Sequence, residues 1–133
     1  MFSLDHIALS VVNIEKSISF YKIFGFNKFN EWSSDDGSLR MVMLKNGDEV
    51  YIELVHCTNS KQLPDASKNL DSDMFQVGVK HIALRVESVV ETIDFLEHNG
   101  IFNYSNVLMG KLGRKYFYIN DPDGIVLEFI DAK

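Results

Sequence analysis

Cysteine occurs once in the 133 residues, at Cys57. That excludes an internal disulfide and any zinc cluster built on thiolates, and it agrees with a reducing compartment. No apolar run approaches the roughly 18 residues needed to cross a bilayer. The opening MFSLDH is not a basic segment followed by an apolar stretch, so no signal peptide is expected and a cytoplasmic protein is. Runs of Lys or Arg are absent too, and the formal net charge is −6, which argues against nucleic acid as a partner. Proline is scarce, at two residues, leaving long stretches free to form regular structure.

What is present is an apolar content of 46% with ten Phe, enough for one compact unit or for two small halves. The chain also repeats itself. HIALSV begins at His6 and HIALRV at His81, an offset of 75, and the same offset pairs Ile18 with Ile93, Phe20 with Phe95 and Gly25 with Gly100. Further on, Asp48 meets Asp123 and Glu53 meets Glu128 without a gap. A duplicated module is the economical explanation. Its expected bounds are about 3–57 and 79–133, joined by a linker at about 58–78.

Each copy opens on a strand whose period-2 alternation puts Ile7, Leu9 and Val11, or Ile82, Leu84 and Val86, on one face. His6 and His81 fall on the other face, away from the apolar side. Asn13 and Ser88 are suited to cap helices carrying Ile14, Ile18 and Tyr21, or Val89, Ile93 and Leu96, at helical spacing. Gly25 and Gly100 stand where a C-terminal glycine ends them. Three strand-like stretches follow in each copy, about 26–32, 38–45 and 50–56, then 101–107, 113–119 and 125–131. KNGDEV and NDPDGI are the turns before the last strands. Each module therefore reads β-α-β-β-β. The polar linker contains Pro64 and only a weak helical pattern, equally suited to a tether or a lid; its Asp71 and Asp73 read as solvated surface.

Glu53 in YIELV and Glu128 in VLEFI each stand alone among strong strand formers. A carboxylate there costs several kcal/mol in desolvation unless it is paired or binds a metal. Singly, each His or Glu reads as well as a hydrogen-bonded or solvated residue. The shared offset joins His6, Glu53, His81 and Glu128 into a candidate four-ligand nitrogen and oxygen site at a pseudo-twofold interface. The aromatic row Tyr116, Phe117 and Tyr118 reads first as strand packing.

With this module and the order His, Glu, His, Glu, the chain resembles the vicinal oxygen chelate superfamily, which includes glyoxalase I, methylmalonyl-CoA epimerase, fosfomycin resistance proteins and extradiol dioxygenases. The resemblance covers essentially the whole chain, and FYINDPDGIVLEFI is similar to the family's closing motif. It implies an α+β glyoxalase-like fold, two tandem βαβββ modules forming a cup-shaped mixed sheet with helices outside. It also implies a divalent metal, Ni, Co or Zn first and Fe or Mn next, held by His6, Glu53, His81 and Glu128 as in glyoxalase I. The implied chemistry is proton transfer beside a carbonyl through an enediolate that the metal stabilises, on a hemithioacetal or related 2-oxo compound. Glu128 is the expected base and Glu53 its symmetric counterpart. Epimerisation of an acyl thioester, Fe(II)-dependent ring cleavage and antibiotic binding without turnover are the alternatives. Glutathione-using glyoxalases resemble one another in an Arg and an Asn where this chain has Ser10 and Cys57, whereas Arg85 stands at the mirrored place as a candidate substrate contact. A small-molecule substrate and a homodimer are the implied partners, with no membrane.

Overall fold

The computed structural model describes residues 1–47 and 49–132, so Asp48, which the repeat pairs with Asp123, lies outside the described residues. Two compact units divide the chain, Met1–Gln62 and Leu63–Lys133.

In the first unit, β1 (His6–Ser10), α1 (Ile14–Ile23), β2 (Asn27–Ser33), β3 (Leu39–Asn46) and β4 (Val50–Cys57) follow the expected order. The strands form one mixed sheet, ordered β1-β4-β3-β2, with β1 parallel to β4 and the other neighbours antiparallel. Period-2 alternation buries Leu9 of β1, Val42 and Leu44 of β3, and Ile52 and Leu54 of β4 on one face, which α1 covers with Ile14 and Tyr21. The helix begins where the Asn13 side chain accepts the Lys16 N–H at 3.0 Å. It ends at Gly25, whose φ of +85° is a left-handed conformation that only glycine adopts freely.

The second unit repeats the plan with β5 (Ile82–Val86), α3 (Val89–His98), β6 (Leu108–Met109), β7 (Lys115–Asn120) and β8 (Val126–Asp131), ordered β5-β8-β7-β6. Ile82, Phe117, Ile119, Leu127 and Phe129 fill its core against Val89 and Leu96 of α3. The Phe117 and Phe129 rings stack at 5.2 Å between centroids, each side chain contributing roughly 1.5–3 kcal/mol by leaving water. Phe117 thus packs as its strand position suggests, while Tyr116 and Tyr118 stand on the opposite face. Together the units make an α+β fold of two four-stranded mixed sheets.

Two local expectations are corrected. The stretch 101–107 is not a strand: Tyr104 makes an isolated bridge to Ile119, and regular pairing is confined to β6. The reason is visible at Ser105, whose hydroxyl rather than backbone accepts the Tyr118 N–H at 2.9 Å; serine and asparagine side chains compete with ladder bonds. The linker also contains more structure than its sequence suggests, a 3-10 turn at Asp65–Lys68 and a one-turn α2 at Leu70–Asp73. Within it, Asp71 is exposed but Asp73 is buried, not solvated, because Lys80 reaches back to its carboxylate at 2.6 Å. Among the described residues no helix is long and apolar enough to cross a membrane.

Candidate functional site

The parallel pairing of β1 with β4 sets Ala8 opposite Glu53, and that of β5 with β8 sets Ala83 opposite Glu128. Small side chains at these places leave room above the sheet, and the histidine two residues earlier lies on the same face as the carboxylate. In the first unit His6 Nε2 comes within 3.7 Å of Glu53 Oε2; in the second His81 Nε2 comes within 3.2 Å of Glu128 Oε2. The apolar strand neighbours keep Glu128 buried and Glu53 mostly so. Neither carboxylate meets a Lys or Arg among the described residues.

The two pairs differ in their surroundings. His6 Nδ1 is 2.7 Å from the exposed Asp5 carboxylate, and this hydrogen bond, helped by the charge of Glu53 and opposed by desolvation, holds the imidazole above its ordinary pKa. His81 Nδ1 is buried with no hydrogen-bond partner, and its ring tilts against Tyr118 at 5.7 Å between centroids. Tyr118 lies directly across the ladder from Glu128, on the same face of the sheet. Burial first, then the nearby Glu128 charge, push the Tyr118 pKa up.

A divalent metal suits these donors. Two ligands each about 2.1 Å from one ion and at right angles are about 3 Å apart, close to the observed nitrogen-to-oxygen separations. Imidazole nitrogen with carboxylate oxygen is the donor mixture that Zn, Ni and Co accept. What the structure brings together is one His–Glu pair within each unit; among the described residues no three His, Cys, Asp or Glu side chains are gathered so as to hold a metal ion. Arg85 is exposed on the strand face that carries Ala83. Ser10 and Cys57 are exposed at the ends of β1 and β4.

Sequence reasoning missed Asp5 and Tyr118 as partners of the site. Tyr118 had a usable signal: the tight turn at Asp121–Gly124 sets the register of β7 against β8, and counting back from Glu128 across it arrives at Tyr118. Asp5 had none beyond its adjacency to His6.

Comparison with known proteins agrees with this architecture. The sequence model of the glyoxalase/bleomycin resistance protein/dioxygenase superfamily matches residues 3–129, and the chain belongs to that superfamily. It is 26% identical to a lactoylglutathione lyase of Neisseria meningitidis over 98% of this chain and 91% of that protein. Among solved structures, a glyoxalase family protein from Enterococcus faecalis superposes with a TM-score of 0.80 at 23% identity, covering 97% of each chain. The trypanothione-dependent glyoxalase I of Leishmania major has the same fold, with a TM-score of 0.72 at 20% identity over 98% of this chain and 87% of that one.

Proposed function

We propose that the chain is a divalent-metal-dependent lyase or isomerase of the glyoxalase I type, moving a proton between neighbouring carbons of a hemithioacetal or a related 2-oxo compound. His6, Glu53, His81 and Glu128 would hold the metal, Ni, Co or Zn first and Fe or Mn next. The bound metal would supply Lewis acidity to oxygens on the reacting carbons. Glu128 takes the proton from one carbon and returns it to the next, and Glu53 is its counterpart in the other module. Arg85 is the contact for a substrate anion. Ser10 and Cys57 stand where glutathione-using glyoxalases have an Arg and an Asn, which argues against glutathione as the cosubstrate. The working form is a homodimer.

The duplicated His–Glu pair supports this reading most directly. Two carboxylates embedded in apolar strands each meet an imidazole at 3.7 or 3.2 Å and, among the described residues, no Lys or Arg, an arrangement whose desolvation cost a cation would offset. Similarity to the Neisseria lyase over nearly the whole chain supports it as well.

The test is metal content by mass spectrometry on protein purified without chelators or an affinity metal, beside Glu53→Ala and His81→Ala. Stoichiometric metal in the wild type, lost in both variants, is the expected result. A wild type that carries no metal and refuses added Ni, Co, Zn and Mn would remove the mechanism.

A further inference from the structure

The segment before β5 is tied to the second sheet at one end and folded onto itself at the other. Asn120 Nδ2 donates to the carbonyls of Lys68 and Gly124, at 2.9 and 2.8 Å, tying the 3-10 turn to the β7–β8 hairpin. At the far end Lys80 Nζ donates to the Asp73 carbonyl and carboxylate, at 2.7 and 2.6 Å. Between this strap, the 103–108 segment and the Glu128 face of the sheet lies a cleft of about 320 Å³, with Tyr118 in its wall. That volume is at the lower end of small-molecule sites, about 300–1,000 Å³.

The polar groups of the cleft have a consistent character. Among the described residues that line it Lys68 is the one cation, already held by Asp65 at 2.9 Å, whereas Asp71 pairs with no described cation. Asn69 uses its Oδ1 on the Asp71 and Ser72 N–H groups, leaving its amide donors. Asn120 uses its Nδ2 as described, leaving Oδ1 as an acceptor. The Tyr104 hydroxyl is given to Glu97, so Tyr104 contributes chiefly aromatic surface, while Tyr118 brings its ring and a hydroxyl on the Glu128 face. A carboxylate or phosphate entering here would meet Asp71 and, among the described residues, no unpaired cation. A hydroxyl both donates and accepts, and adjacent hydroxyls on a carbon ring match amide, carboxylate and aromatic surface together.

We propose that this cleft binds an uncharged, polyhydroxylated group, the part of the substrate remote from the reacting carbons. The inference rests on the metal-dependent reading only for its link to catalysis, since Tyr118 joins the cleft wall to Glu128. The cleft as a binding site stands apart from turnover.

The test is therefore a binding experiment, with methyl 1-thio-β-glucopyranoside as the neutral probe and S-methylglutathione as the charged one, on metal-free and metal-loaded wild type. Side-chain amide NMR signals of Asn69 and Asn120 report occupancy of the cleft. The glucoside should shift both signals, S-methylglutathione should shift neither, and the exposed Asp71→Asn variant should bind the glucoside about tenfold more weakly. Unmoved amide signals at millimolar glucoside, or a preference for S-methylglutathione, would overturn the proposal. If the amides shift while no metal binds, the cleft stands and the catalytic reading fails; metal binding without shifted amides gives the reverse.

Discussion

Tyr118 stands directly opposite Glu128 across the β7–β8 ladder, so the phenol and the carboxylate share one face of the sheet. A phenol in this position is placed to serve as an outer partner of a metal-ligating carboxylate, and such partners orient the ligand. Tyr118→Phe should weaken metal binding about 10- to 100-fold, read by competition with a chelator, while leaving the melting temperature within a few degrees. Unchanged metal affinity would show that the hydroxyl is only a packing feature.

Glu128→Gln separates proton transfer from metal binding. Gln keeps a ligand oxygen but cannot take a proton, so turnover of a hemithioacetal should fall about 100- to 10,000-fold while the metal stays stoichiometric. Equal turnover in the variant would move the base to Glu53 or off the protein.

The buried pair Asp73–Lys80 gives stability a pH dependence. Its hydrogen bond to Lys80 holds the Asp73 carboxyl below the ordinary range, with desolvation opposing. The contribution is full above the unfolded value of about 3.9 and is lost as pH falls through the lower folded value. Asp73→Asn should destabilise the fold near neutral pH. Urea unfolding should show the difference from wild type shrinking below pH 4; a difference independent of pH would refute the linkage.

At the β2–β3 turn, Asp36 accepts the Ser34 hydroxyl at 2.6 Å, and then the Ser38 N–H and hydroxyl. The Ser34 bond first, then those from Ser38, hold its pKa down at about 2. Its support of the turn is present above the ordinary carboxylate range and lost as pH falls toward that value. An NMR titration of the Asp36 carboxyl should place its midpoint there in the wild type and higher in Ser34→Ala.

Gly124 is the place where the strap meets the hairpin. Its φ of +93° is left-handed, and an added Cβ would come within 2.5 Å of Lys68 Cγ. Gly124→Ala should cost about 1–2 kcal/mol from the backbone alone and speed amide exchange over residues 65–73. Adding Lys68→Ala removes the clash and should restore slow exchange while leaving the backbone cost.

Much of this protein was legible along the chain. Helix caps at Asn13 and Ser88, glycine ends at Gly25 and Gly100, and the alternation of Leu9 and Val11 or Leu127 and Phe129 are local signals. Their physics acts within a turn of helix or a pleat of strand, so a pattern of neighbours suffices to read them. The 75-residue repeat carried this further, because duplicated modules pair their strands alike: Ala8 opposite Glu53 and Ala83 opposite Glu128 are one register written twice. Only the tertiary structure decided the rest. The burial of Asp73 depends on Lys80 folding back, the cleft depends on Asn120 holding Lys68 from 52 positions away in sequence, and the loss of a strand at 101–107 depends on Ser105 meeting Tyr118. Each is a contact between polar groups whose partners no periodicity announces. Their pairing is settled by which backbone and side-chain groups are left unsatisfied once the sheets have formed.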